Sequence, residues 1–268
     1  MVQEIGAMAD AAPDTIDING VGVSPYDWEA ALRFLEAAAR GGGQTVVEFL
    51  NANNSNIATA NVDYRSALGN AVVLADGIGV DIGAFVLHRR SFPGNLNGTD
   101  LVPAFLTYVE KPLRVALIGA RPEVLKEACA AFSAHAPWHE FIAVSDGYFD
   151  KAQSADVLEQ LEKVDPDFVL VALGSPAQEL WIDRNIKPQH GRLVMGVGAL
   201  FDFMANAVPR APLWMRRMRC EWVYRLAKEP SRLWRRYLLG NPMFIYHVLR
   251  YKFATRPDHA GPAAPDQP

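Results

Sequence analysis

The sequence predicts an α/β fold: a Rossmann-like, mostly parallel sheet with helices on both faces, plus a C-terminal basic helical appendage. Three observations predict it. Short β-rich runs alternate with stretches of helical apolar spacing as far as about residue 205. Half of the 268 residues are hydrophobic, enough to bury a full core. Beyond Val208 the strand pattern stops and arginines interleave with tryptophans.

In chain order, the runs at 15–23, 45–51, 71–76, 113–119, 140–145, 167–173 and 192–198 read as strands. Between them, 26–39, 53–68, 99–110, 121–133, 152–163 and 176–186 carry helical spacing, with starts at Ser24 or Asp150 to Ser154 and a stop at Gly41–Gly43. Residues 15–208 form the expected core. Residues 209–252 form the appendage, with helices broken at Pro230 and Pro242. Residues 1–14 and the Pro-, Ala- and Gly-rich stretch 253–268 read as disordered tails.

Charge divides the chain the same way. The net charge is −4, yet 209–252 holds eleven Lys or Arg against two acids, leaving the remainder near −13. So dense a cationic segment calls for an anionic partner. Cys129 and Cys220 lie far apart, without the spacing of a disulfide framework or a zinc site, which suits a reducing, cytoplasmic compartment. Residues 1–14 lack the pattern of a secretory signal, and no window approaches the roughly 20 apolar residues that span a bilayer.

In open α/β sheets, ligands bind beyond the carboxyl ends of the strands. The run VVLAD delivers Asp76 there, onto a turn that Gly77 and Gly79 allow to be tight. Two roles are open to Asp76: a general base whose charged form is disfavoured by burial, or a helix N-cap. A dinucleotide fingerprint fails because Ile82 stands where the third glycine belongs.

Next, PDFVLVALGSPAQELWI runs a buried strand into Gly174, and Pro176 opens a helix with Gln178 and Glu179 in its first turn. Its free N–H groups suit a phosphate or a sugar hydroxyl, and equally an ordinary capped helix start. LIGARPE repeats the form around Gly119, and NGTDL offers Thr99 as an N-cap followed by Asp100. In the appendage, Arg225, Arg232 and Arg235 stand seven and three apart, aligned where one helix continues through them, although Pro230 is a place for a kink, and suited to a diphosphate. Trp214, Trp222, Trp234, Tyr237, Phe244 and Tyr246 beside them fit an interfacial binder of anionic membrane, and core packing of some of these rings is compatible with it. No nucleic-acid motif accompanies the basic segment, and the histidines lack metal-site spacing.

Taken together, ADGIGV, NGTDLVP, LIGARPEVL, DGYF, PDFVLVALGSPAQE, GVGALFDF, RAPLWMRR and EWVYRLAKEPSRLWRRY resemble the WecG/TagA/CpsF family of glycosyltransferases, glycosyltransferase family 26, over roughly residues 45–245. The resemblance implies an inverting, β-linkage-forming transfer from a UDP-sugar, of UDP-glucose or UDP-N-acetylmannosamine type, to a polyprenyl-diphosphate-linked saccharide. It implies work at the inner face of the bacterial membrane, in exopolysaccharide or cell-surface polysaccharide assembly, without metal or cofactor. Self-association stays open.

By the same resemblance Asp76 is the base, with Arg225, Arg232 and Arg235 meeting the leaving diphosphate. Asn51, Gly77, Gly79, Thr99, Asp100, Gly119, Gly174, Pro176, Gln178 and Glu179 surround the substrates. Two positions depart from the family pattern: Phe49 where a threonine is usual, and Asn95 where an arginine is frequent. A binding scaffold that has lost catalysis is the alternative these departures suggest, and a nicotinamide oxidoreductase is the reading the misplaced glycine argues against.

Overall fold

A computed structural model describes residues 14–254 of the chain. The expectations of tails at 1–13 and 255–268 lie outside the described residues. At the centre is a six-stranded sheet of β3 (Thr45–Leu50), β4 (Val72–Ala75), β5 (Arg114–Gly119), β6 (Glu140–Ser145), β7 (Phe168–Ala172) and β8 (Leu193–Gly196). Every pairing is parallel, in the order β4-β3-β8-β7-β5-β6. The two central strands β7 and β8 are buried along their whole length, as their unbroken apolar runs require.

The segment 15–23, expected as one strand, is instead an antiparallel hairpin of β1 (Ile16–Ile18) and β2 (Val21–Val23). Asn19 and Gly20, both at positive φ, make its turn, the two-residue Asn-Gly signal that the long β reading passed over. The helix expected over 53–68 is two, α2 (Ala52–Ala60) and α3 (Val62–Gly69), because Asn61 leaves helical geometry to cap the second. After β2, α1 (Trp28–Arg40) starts at an Asp27 cap rather than at Ser24, whose backbone pairs with the sheet edge instead. Its end at Gly41 is as expected.

Helix α4 (Ile78–His88) has no counterpart in the sequence reading; it grows directly out of the Asp76-Gly77 turn. Then follow α5 (Gly98–Tyr108), α6 (Pro122–His135), α7 (Ala155–Val164), α8 (Ala177–Asn185) and α9 (Leu200–Met204). Helices α1, α5, α6 and α9 cover one face of the sheet around Leu35, Phe105, Phe132 and Phe201. The other face carries two apolar clusters, one with the hairpin, α2, α3 and α4, the other with α7 and α8.

The appendage is helical, as expected: α10 (Leu213–Arg217), α11 (Glu221–Lys228), α12 (Pro230–Trp234) and α13 (Gly240–Ala254). Pro230 opens α12 after a break at Glu229. Pro242 does not break the chain's course. A π-helical turn at Arg235–Leu239 joins α12 to α13, and this widened turn relieves the clash a proline ring makes with the preceding turn. Helix α13 runs through Phe253 and Ala254, residues expected to belong to the tail. Its Phe244 and Val248 are buried beside α4, where a Cβ on Gly83 would stand 3.0 Å from the Phe244 ring. Burying such a ring is worth about 1.5–3 kcal/mol, so the appendage is fastened by packing as well as charge.

Candidate active site

A cavity of about 1110 Å³ opens at the carboxyl ends of the strands, walled by core and appendage together. Asp76 leaves β4 into this wall, and its backbone N–H bonds the Leu50 carbonyl of β3 at 2.9 Å. Gly77 then turns at φ 90, a conformation that favours glycine, and its N–H donates to Asn95 Oδ1 at 2.6 Å. Asn95 thus braces the acid-glycine turn. Asp76 does not cap α4; Gly77 stands at that position without a side-chain bond. The capping alternative is thereby removed.

Asn51 Nδ2 donates to Asp76 Oδ2 at 3.2 Å. Burial pushes the Asp76 carboxyl above its ordinary range, the largest effect; the Asn51 bond, Arg236 and Arg225 pull it back, while Glu221 adds to the rise. Such a carboxylate is more basic than a solvated one.

From the appendage, Arg225, Arg232 and Arg236 face the same cavity. Arg235 does not; its guanidinium lies over the Trp234 ring at 5.3 Å. The alignment expected of Arg225, Arg232 and Arg235 presumed one continuous helix. The break at Glu229 resets the phase between Arg225 and Arg232, and Arg236, four residues beyond Arg232, takes the inward place. Arg225 packs over Phe203 at 5.3 Å, and the Nε of both Arg225 and Arg236 is buried without a hydrogen-bond partner.

Gly79, Thr99, Gly174 and Gln178 also line the cavity, as does Asp100. Thr99 is not the cap of α5, because Asn97 caps it and accepts from the Thr99 hydroxyl. Asp100 bonds Arg210 at 2.8 Å and Arg216 at 3.1 Å, clasping the appendage to the core. Burial would raise the Asp100 carboxyl, but its bond from Asn97 and the two arginines outweigh this and hold it low. Asp81 on α4 makes a second clasp with Arg219.

Three expected residues stand behind the wall. Gly119 brings β5 against β7, since a Cβ there would lie 2.3 Å from the Ala172 carbonyl oxygen; Ala120 and Arg121 form the surface instead. Pro176 sets the start of α8. Glu179 is buried beneath Ser175 and Gln178. Phe49 is buried against Gly98, its ring edge contributing apolar wall. Arg236, Glu221, Tyr237 and Ser175 are among the cavity residues that the sequence reading did not assign to the substrates. Glu221 carried a signal, being one of two acids among eleven cations. Among the described residues no group of three or more His, Cys, Asp or Glu is placed to hold a metal.

A doubly wound sheet with an acid and opposed arginines at its switch-point crevice is the form of a group-transfer enzyme working on an anionic substrate. The chain belongs to the WecG/TagA/CpsF family of glycosyl transferases, whose family model matches residues 16–258. It is similar to the N-acetylglucosaminyldiphosphoundecaprenol N-acetyl-β-D-mannosaminyltransferase of Bacillus spizizenii, at 33% identity over 78% of this chain and 80% of the relative. The enzymes of the same description from Bacillus subtilis and Staphylococcus aureus are 32% and 31% identical, over 76% and 74% of this chain and 79% and 76% of theirs.

Proposed function

We propose that this chain transfers a sugar of N-acetylmannosamine type from its UDP derivative to a saccharide carried on a polyprenyl diphosphate, with inversion to a β linkage. The relatives' printed activity favours N-acetylmannosamine over glucose as the sugar moved, and an N-acetylglucosaminyl lipid as acceptor. The observation that carries the reading is that Asp76 and the arginines Arg225, Arg232 and Arg236 face one cavity, large enough for both substrates.

Asp76 takes the proton from the acceptor hydroxyl as its oxygen forms the new bond to the anomeric carbon. The bond from that carbon to the β-phosphate oxygen breaks on the opposite face, and its electron pair leaves with UDP. The Arg225, Arg232 and Arg236 guanidiniums meet the growing charge on the diphosphate, a preorganised stabilisation. Asn51, Thr99, Gln178 and the backbone at Gly174 are the polar groups available to the sugar and nucleotide.

No helix among the described residues is long and apolar enough to cross a membrane. The proposed attachment is peripheral, at the inner face of an anionic membrane. Ile78, Ile82 and Ile245 are exposed at the cavity rim, where a lipid-borne substrate would enter. The product would serve assembly of a cell-surface polysaccharide. The test is UDP release from a panel of UDP-sugars with a lipid-linked N-acetylglucosaminyl acceptor. Release with UDP-N-acetylmannosamine supports the reading; none with any donor leaves the scaffold alternative.

A further inference from the structure

Directly beneath the cavity floor lies a buried polar cluster that the transfer chemistry does not use. Glu48 on β3 and Glu179 on α8 are 1% and 2% exposed, in a gap between the two apolar clusters of that sheet face. Three donors converge on Glu179 Oε1: the Tyr64 hydroxyl at 3.1 Å, the Ser175 hydroxyl at 2.5 Å and Gln178 Nε2 at 3.4 Å. Glu179 Oε2 and both oxygens of Glu48 have no hydrogen-bond partner at all. Two buried carboxylates with three orphaned oxygens are not sustainable as two full charges, whereas one proton between them supplies the missing donor.

We propose that Glu48 and Glu179 share a single proton and act as positioning residues, fixing the Gln178 carboxamide and the Ser175 hydroxyl that form the cavity floor. The geometry of Gln178 supports this. Its Oε1 accepts from Gly198 N–H at 3.1 Å, while its Nε2 is drawn to Glu179. The amide is therefore held from both ends. Gly196 on β8 fits the same arrangement: a Cβ there would lie 2.2 Å from Glu48 Oε2 and 2.7 Å from Gln178 Nε2, so both groups press on its bare Cα.

Burial, then the neighbouring Glu179 charge, drives the Glu48 carboxyl well above its ordinary range; Glu179 is also raised, burial again leading and its hydrogen bonds from Ser175, its own backbone, Tyr64 and Gln178 opposing. The titratable groups bearing on Glu48 are Glu179 from α8 and Tyr64 from α3, and burial together with the two carboxyls drives the Tyr64 hydroxyl upward too. A proton leaving the pair at alkaline pH would put a second charge under the floor and disturb the Gln178 clamp.

The shared proton stands apart from the proposed function, and the positioning role rests on it. Two readouts keep them separate. Carbon-13 NMR of the full chain labelled at the glutamate carboxyls should show one protonated glutamate at neutral pH, lost in Glu48→Gln; a spectrum with every glutamate ionised overturns the proposal. Binding of UDP-N-acetylmannosamine by calorimetry should be near wild type in Glu48→Gln, whose amide replaces the proton donor, and weaker by about tenfold in Glu48→Leu, whose thermal melt shows whether it is folded. Wild-type affinity should fall at alkaline pH and that of Glu48→Gln should not. Equal affinity in Glu48→Leu, or the same alkaline loss in Glu48→Gln, overturns the positioning role. Absence of UDP-sugar binding by the wild type refutes the proposed function and the positioning role with it, leaving the shared proton to the spectrum.

Discussion

Asn51 holds Asp76 with one end of its amide and the start of α2 with the other. Nδ2 donates to Asp76 Oδ2 at 3.2 Å, and Oδ1 accepts from Asn54 N–H at 3.0 Å. The carboxylate is thus oriented by a side chain that is itself fixed by a helix terminus. Replacing Asp76 by Asn keeps the shape and removes the base, so the turnover number should fall by about 10²–10⁴-fold, with UDP-sugar binding retained. The same variant should melt higher at neutral pH. A carboxyl raised in the folded state contributes stability below its unfolded pKa and loses it as pH rises through the folded one. At neutral pH the ionised, buried Asp76 is a burden that the amide lifts.

The pH profile offers an independent check. With Asp76 as the proposed base, activity needs its ionised form, so kcat/KM should fall as pH drops through its raised pKa, above the ordinary carboxylate range. Asn51→Ala removes the hydrogen bond that favours the charged form, and the acid limb should move to higher pH. Loss of the α2 cap should also cost about 1 kcal/mol of stability in a denaturant titration.

The appendage arginines should divide by their direction. Arg225→Ala and Arg236→Ala, on the cavity wall, should each lower the turnover number by about 10²–10³-fold if they stabilise leaving-group charge. Arg235→Ala, over Trp234, should stay close to wild type. Assays of the three variants side by side decide whether the cavity-facing arginine is the functional one; equal losses at Arg235 and Arg236 would deny it.

The clasp at Asp100 should respond to acid. Its carboxyl is held below the ordinary range because Asn97, Arg210 and Arg216 outweigh burial. A group lowered in the folded state contributes stability above its unfolded pKa, near 3.9, and loses it as pH falls through the folded value. Limited proteolysis of residues 205–220 should therefore accelerate only below that unfolded pKa in the wild type, and at neutral pH in Asp100→Asn. Unchanged protection in the variant would show that the packing of Phe244 and Val248 suffices.

The sheet was legible because β5, β7 and β8 are continuous apolar runs whose period and length admit few alternatives. So was the placement of Asp76 at the cavity, since the run VVLAD ends at the carboxyl edge of the sheet. What failed was local. Asn19-Gly20 hid a hairpin inside one apolar pattern, and α4 was masked by glycines that serve packing, Gly79 against Ala52 and Gly83 against Phe244. The phase of the arginines was hard to read because spacings of three and four from Arg232 share one helix face, so Arg235 and Arg236 are alike on paper, and the break at Glu229 separates both from Arg225. Glu179 was singled out for its helix start, but nothing in the sequence joins it to Glu48; the sheet order β3-β8-β7 brings the two together.

Membrane attachment should follow from the outer face of the appendage. On α13, Met243, Tyr246 and Leu249 recur at helical spacing and are exposed, and Leu238 and Leu239 in the π turn add 57% and 58% exposed side chains. This apolar stripe lies within the cationic 209–252 segment, the combination that enters a headgroup region while its charges meet anionic lipid. Leu239→Glu with Met243→Glu should weaken binding to anionic phospholipid vesicles by about tenfold or more, the loss of two buried apolar side chains. Co-sedimentation measures it, at low and high salt. Raised salt should weaken the wild type on anionic vesicles as the charges are screened, and neutral vesicles should bind less at any salt. Soluble-acceptor activity of the double variant should persist, since neither residue lines the cavity. Vesicle binding that the substitutions leave untouched would move the attachment surface elsewhere, first to Leu213 and Trp214 on α10, which are also exposed.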